Sequence, residues 1–311
     1  MPLVNATGIS HWTPDGLPDL SGKLYIITGG NSGIGLEAAK ILAERNADVV
    51  IAARNPTKGA NAVTQIDQLG SGKAQMLKLD LADMASIRAA AEEAKTRFGS
   101  VAALINNAGI MQTPEQKTAD GFEMQIGTNH LGHFLWTALM IGQVDPEDGR
   151  VVTLSSIAHR LGKVNLDDLM FEKARYDATQ SYGQSKLANM LFGQELHRRL
   201  QASGSKIKSI VCHPGYSATE LQSTGPTGLM NAIYKLTNAL MAQPAKLGSY
   251  PTVLSAADPA VVSGAYYGPT AMWYTRGPVG DCDVEKRGLD EATAKGLWDL
   301  SEELVGEKLT V

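Results

Sequence analysis

Leu24-Tyr25-Ile26-Ile27-Thr28-Gly29-Gly30-Asn31-Ser32-Gly33-Ile34-Gly35-Leu36-Glu37-Ala38-Ala39-Lys40-Ile41-Leu42-Ala43 carries three signals in one run. Its start is an apolar stretch stopped by glycines, the pattern of a buried parallel strand. Its end, residues 36–43, is rich in strong helix formers. Between them Gly29, Gly33 and Gly35 fall as G-x-x-x-G-x-G. This differs from G-x-G-x-x-G, but the mechanics are alike. Missing side chains let backbone amides approach a pyrophosphate at a helix N-terminus. Glycines also make ordinary turns; their position between a strand and a helix favours dinucleotide binding. Residues 48–54 read as a second strand, which completes one βαβ unit.

The unit repeats along the chain. Residues 56–69 read as helix, 74–79 as strand, 84–98 as helix and 103–105 as strand. A long helical pattern covers about 118–143, a fifth strand 151–154, another helix about 181–200 and a sixth strand 207–212. Gly268-Pro269 and Gly277-Pro278 read as late turns, and 289–305 as a final helix or two. This alternation predicts an α/β fold, one doubly wound parallel sheet with helices on both faces. Residues 1–20 form an irregular arm, and no linker divides residues 21–311.

Composition narrows the function classes. The chain has 311 residues and a net charge of −4, so no basic footprint for nucleic acid. Cys212 and Cys282 are the two cysteines, which implies neither a disulfide framework nor a metal-type spacing. The N-terminus lacks a signal-peptide pattern, no stretch has the length of a spanning helix, and the expected location is cytoplasmic.

Ligands of such sheets bind beyond the carboxyl ends of the strands. Polar and glycine motifs cluster there: Gly29–Gly35, Arg54, Asp80, Asn106 to Gly109, and Ser155-Ser156. Arg54 stands where an acidic residue would bind the adenosine ribose, and a guanidinium suits a 2′-phosphate instead. NADP(H) is therefore favoured over NAD(H), with a solvated surface arginine as the alternative. On the helix near 181–200, Tyr182 and Lys186 share a face. A nearby ammonium lowers a phenol's pKa and would fit Tyr182 for acid/base work. Taken alone, Tyr-x-x-x-Lys also describes a packed tyrosine beside a solvated lysine. His130, His133 and His159 lack a third metal ligand and read as structural or supporting, and no metal site is expected. Cys212 reads as a buried apolar residue.

Taken together, Thr28-Gly29-x-x-x-Gly33-Ile34-Gly35, Asp80-Leu81, Asn106-Asn107-Ala108-Gly109, Asn129, Ser156, Tyr182-x-x-x-Lys186 and Pro214-Gly215-x-x-x-Thr219 fall in the order of the short-chain dehydrogenase/reductase family. The chain resembles that family from about residue 20 to 220. The resemblance implies a Rossmann fold. Gly29, Asn31, Ser32, Gly33, Ile34 and Gly35 would cradle the cofactor phosphates. Asp80 and Leu81 would bind adenine, and Asn107, Ala108 and Gly109 would line its ribose side. Ser156 would hold the substrate oxygen and Tyr182 would give or take its proton. Lys186 would lower the tyrosine pKa and hold the nicotinamide ribose, and Asn129 would hold a water of a proton relay. Pro214, Gly215 and Thr219 would border the nicotinamide. The implied activity is NADP(H)-dependent interconversion of a carbonyl and an alcohol on a largely apolar small molecule. Reduction of a carbon–carbon double bond, or cofactor sensing without chemistry, are the alternatives.

One departure stands out. Ser156 and Tyr182 are 26 residues apart, about twice the spacing common in the family. The added segment, 158–180, resembles the insertion of the retinol-dehydrogenase-like and protochlorophyllide-reductase-like branches. Ala53-Arg54-Asn55 and Thr128-Asn129-His130-Leu131-Gly132-His133-Phe134 resemble the former. By family position, 216–246 would be a substrate lid; core packing and membrane contact are rival readings, and sparse cations argue against the membrane. The helices carrying Asn129 and Tyr182 would offer a homodimer face, which the insertion could block.

Overall fold

The computed structural model describes residues 3–69, 72–216 and 243–311. At its centre β1 (Leu24–Thr28) lies between β2 (Asp48–Ala53) and β4 (Ala103–Asn106). β3 (Ala74–Lys78) continues one side, and β5 (Arg150–Leu154), β6 (Lys208–Cys212), β7 (Tyr266–Ala271) and β8 (Arg276–Asp281) continue the other. The order is β3-β2-β1-β4-β5-β6-β7-β8, parallel throughout except for the β7–β8 pair. Strand order reverses between β1 and β4, and the crevice for a ligand opens there.

The strands read as near-continuous apolar runs because helices cover both faces. On one face α1 (Gly33–Ala43) and α2 (Pro56–Asp67) pack with Ile27, Val49, Ile51 and Ile105. On the other α3 (Met84–Arg97), α4 (Gly132–Met140) and α5 (Ala178–Ala202) bury Ile26, Val50, Leu104 and Val151. α6 (Ala245–Ala257), which the sequence reading did not predict, lies against α1. α7 (Glu291–Val305) covers α5, where Trp298 meets Phe134 and Phe192 at centroid distances of 5.2 and 5.8 Å. The N-terminal arm is anchored: Trp12 Nε1 donates to Asp258 at 2.7 Å, and Leu17 and Leu20 are buried.

Two predicted boundaries change. The helix expected from 118 starts at Met124. Gly121, at φ +87°, turns the chain first, and the Glu123 carboxylate caps the amides of Gln125 and Ile126. A π-helical segment, Gly127–Leu131, then leads into α4. The dipeptides Gly268-Pro269 and Gly277-Pro278 are not turns; they lie inside β7 and β8. Proline is tolerated there because β8 is an edge strand and the pairing shifts register between Pro269 and Ala271. The actual turn carries Met272, Trp273 and Tyr274 at positive φ and has no glycine, asparagine or proline to announce it.

Of the expected lid, residues 217–242, and with them Thr219, lie outside the described residues. Gln243 donates its amide to Tyr216 O at 2.9 Å and its side chain to Pro214 O at 2.7 Å, and Ala245 already belongs to α6. Among the described residues, no helix is long and apolar enough to cross a membrane.

Candidate active site

A cavity of about 590 Å³ opens at the carboxyl ends of β1, β2, β4 and β5. Every predicted cofactor and catalytic position lines it except Asn129, which stands behind Gly109, and the undescribed Thr219.

The floor is the glycine loop. Gly29 and Gly33 have φ of +66° and +53°, where a side chain is strained. A Cβ on Gly35 would come within 2.5 Å of Asn107 Nδ2 and 2.6 Å of Gly29 O. Ser32 begins α1 without a side-chain cap, so the first amides of that helix stay open towards the cavity. A glycine cradle under uncapped helix amides fits the diphosphate of a nicotinamide dinucleotide.

The adenosine side follows. Asp80 Oδ1 accepts from Ala82 N at 3.0 Å, which turns the chain under the cavity wall. Arg54 Nε stands 4.0 Å from Asp80 Oδ2, with its side chain 76% exposed. The guanidinium is thus free to reorient, held at the rim by one weak ion pair. The Asn107 side chain donates to Thr28 O at 2.7 Å, and the amides of Asn107 and Ala108 donate to Thr28 Oγ1 at 2.9 and 3.0 Å.

At the chemical end, Ser156 opens a 3-10 turn, Ile157–Arg160, and Asp177 caps the first turn of α5, which carries Tyr182 and Lys186. The expected effect of the ammonium on the phenol is corrected here. Burial pushes the Tyr182 pKa up, opposed by a hydrogen bond with the Ser156 side chain. Lys186 Nζ lies 5.9 Å from the centre of the Tyr182 ring and donates to Leu154 O at 3.2 Å. Burial with no carboxylate beside it lowers the Lys186 pKa to about 8. The tyrosine is therefore a neutral phenol at neutral pH, ready to donate, and the lysine is still mostly charged. Asn129 Oδ1 accepts from Ile110 N at 2.8 Å; its Nδ2 donates to Ile110 O and to Ser185 Oγ, both at 2.9 Å.

The substrate side is built from distant segments. His159 Nδ1 donates to Ser156 O at 2.7 Å, and its Nε2 accepts from Glu285 N at 3.4 Å. Arg160 pairs with Asp283 and lies over the Tyr274 ring. Arg287 donates to the carbonyls of Arg160 and Gly162. The insertion is thereby fastened to the chain's C-terminal part. Buried Gln125 joins two walls: Oε1 accepts from Gln112 N at 2.8 Å, and Nε2 donates to Tyr176 OH and Ala178 O at 3.0 Å. Gln125 and Thr28 were not singled out from sequence as site residues. The threonine has a signal, a hydroxyl at the strand end before the glycine turn; the glutamine has none without the fold. The supporting role expected for His133 and His159 agrees with their buried positions. Among the described residues no acidic, histidine or cysteine group forms a metal cluster.

Comparison with known proteins agrees with this geometry. The short chain dehydrogenase family profile matches residues 23–228. Retinol dehydrogenase 12 of Mus musculus is 40% identical over 294 residues, covering 92% of this chain and 87% of the relative. Retinol dehydrogenase 11 of Homo sapiens is 39% identical with the same coverage. The crystal structure of an uncharacterized protein from Mycobacterium Paratuberculosis has a TM-score of 0.81 and 37% identity, covering 96% of this chain and 99% of its own. A Burkholderia cenocepacia short chain dehydrogenase in complex with NADP, 24% identical, shares the fold at a TM-score of 0.62 over 80% of this chain and 96% of its own. Sequence, fold and site agree: the chain is an oxidoreductase of the short-chain dehydrogenase/reductase family, in its retinol-dehydrogenase-like branch, a family that works with a nicotinamide cofactor.

Proposed function

We propose that the protein is an NADP(H)-dependent oxidoreductase that interconverts a carbonyl and an alcohol on a largely apolar small molecule. The observation that carries this reading is geometric: the Tyr182 phenol, Ser156 and buried Lys186 converge on one end of the cavity. A bound dinucleotide supplies the hydride. Tyr182 gives the substrate oxygen its proton in reduction and takes it back in oxidation. Ser156 Oγ donates to the same oxygen, where charge develops. Lys186 would hold the cofactor's sugar, and Asn129, set between Ile110 and Ser185, would take part in resupplying the proton. Arg54 at the rim favours a 2′-phosphate over a bare ribose. Ile110, Met111, Ile157 and Leu161 give the substrate end an apolar wall. Reduction of a carbon–carbon double bond with a cysteine partner fits less well, since neither Cys212 nor Cys282 lines the cavity.

The test is NADPH consumption over aldehydes and ketones graded by size and polarity, long apolar polyene aldehydes included. Turnover is expected, and Tyr182→Phe should lower kcat about 10²–10⁴-fold. A folded protein that binds NADPH but turns over no carbonyl would instead be a sensor.

A further inference from the structure

His133 lies on α4, outside the cavity lining, and is 1% exposed. Both ring nitrogens are used. Nδ1 lies 2.9 Å from the Asn129 carbonyl oxygen, and Nε2 lies 2.8 Å from Thr28 Oγ1. A carbonyl only accepts, so Nδ1 carries the proton. Burial lowers the His133 pKa to about 4, so the ring is neutral and Nε2 is bare. The single Thr28 hydroxyl proton therefore goes to Nε2 at 2.8 Å, which needs a donor, rather than to Ile105 O at 3.3 Å. That orientation turns the hydroxyl's lone pairs to the amides of Asn107 and Ala108, which donate to it.

The two arms of this histidine converge on one loop. Through Thr28 it holds the amides of Asn107 and Ala108. Through Asn129 it holds the next residue but one, since the Asn129 side chain clamps both backbone groups of Ile110. Between these anchors sits Gly109, where a Cβ would be 3.3 Å from Asn129 Oδ1 and 3.4 Å from Lys186 Nζ. The loop packs directly against the glycine cradle: a Cβ on Gly29 would meet Ala108 at 3.0 Å. The geometry points to His133 as a positioning residue that sets the 107–110 loop between the cofactor cradle and the catalytic lysine. A packing residue in its place would fill the volume but take one partner from each of two buried polar groups, leaving the Thr28 hydroxyl only the longer 3.3 Å contact to Ile105 O as acceptor. In its kinetic part the inference rests on the function proposed above.

Half-replacements separate the arms. The amide nitrogen of asparagine falls near imidazole Nδ1, and the amide of glutamine near Nε2. His133→Asn should keep the Asn129 arm and lose the Thr28 arm; His133→Gln should do the reverse. The full chain is measured for NADPH Kd by fluorescence, for hydrogen exchange of the 107–110 amides without cofactor, for melting temperature and for kcat. His133→Ala should speed exchange in the loop and weaken NADPH binding about tenfold, the weight of one hydrogen bond. His133→Asn should raise Kd with kcat near parental. His133→Gln should lower kcat with Kd near parental. Thr28→Val should add nothing to the Kd effect of His133→Ala.

The inference is overturned if folded His133→Ala keeps parental exchange and Kd, whatever its melting temperature. If His133→Ala does not fold, identical phenotypes of the Asn and Gln variants overturn it. If no carbonyl is turned over, the proposed function fails, while exchange and Kd still decide the role of His133.

Discussion

The two halves of the cavity are built by different means. The cofactor half comes from consecutive βα units, and each contributes the residues just after its own strand: Gly29 to Gly35, Arg54, Asp80, Asn107 to Gly109. The sheet brings those ends together, so each motif needs only its own strand to be in place. The substrate half is lined by Ile110 to Gln112 and by the insertion, which is braced from behind by Arg160 with Asp283, Arg287 with Gly162 and Gln125 with Tyr176. Every one of those contacts joins residues far apart in sequence. The first half depends on close backbone approach, closest at Gly35; the second depends on side-chain ties, which can be exchanged singly. Specificity can therefore change on one side of the cavity while the cofactor side stays fixed.

Lys186 sits on the seam, and its replacement should have the largest effect. Lys186→Met should lower kcat about 10²–10³-fold, as loss of a positioned charge does. It should also raise the melting temperature, because the ammonium is buried without an acidic partner. The sign with pH follows from its folded pKa of about 8 against an ordinary 10.5. Between these values the unfolded chain binds more protons than the folded one, so stability rises with pH across the window. Carbonyl reduction should fall as pH rises through about 8 and the charge is lost. A parental melting curve with the same pH slope in the variant would remove the argument.

The cofactor half is tested next. Gly35→Ala puts a methyl 2.5 Å from Asn107 Nδ2 and 2.6 Å from Gly29 O. NADPH Kd should rise about 10–100-fold, in line with 1–3 kcal/mol of overpacking. The KM for a carbonyl, measured at saturating NADPH, should stay within about twofold of the parent, because separate halves do not share that cost. Arg54→Ala should do less. Its side chain is 76% exposed, so solvent screens it, and the NADPH-over-NADH preference should drop about tenfold with NADH kinetics unchanged. Equal losses with both cofactors would mean that Arg54 reads no 2′-phosphate.

Legibility in the sequence follows the same division. The glycine spacing, the strand ends and Tyr182-x-x-x-Lys186 are local patterns, and local patterns survive being read one residue at a time. The β7–β8 hairpin was hidden because Pro269 and Pro278 look like turn residues, while the turn itself is Met272-Trp273-Tyr274. The start of the helix after 118 was misplaced because its composition suits a helix, and only the Gly121 turn and the Glu123 cap delay it. The direction of the Tyr182 pKa was misread for a related reason. Spacing places an ammonium near a phenol, but burial is set by the elements packed around α5, and burial outweighs the lowering by Ser156. His133 was visible as a histidine on a helix; its two partners, Thr28 on β1 and Asn129 one turn before, became evident only with the fold.

Gln125 gives the smallest expected effect and the sharpest division. Its side chain is fully buried and satisfies Gln112 N on one wall and Tyr176 OH and Ala178 O on the other. Gln112 is held at φ +52°, an uncommon backbone state for a residue with a side chain. Gln125→Ala removes one tie on that state, with Gln112 Nε2 to Thr179 Oγ1 at 3.3 Å remaining, and loosens the return of the insertion into α5. Gln112 lines the cavity two residues beyond Ile110, at the apolar wall proposed for the substrate. KM for a bulky apolar carbonyl should then rise about threefold to tenfold, the weight of one to two hydrogen bonds, with kcat and NADPH Kd unchanged. A small aldehyde that does not reach that wall should show no change. If NADPH Kd rises in parallel with KM, the substrate wall is mechanically continuous with the cofactor loop, and the two halves are one unit.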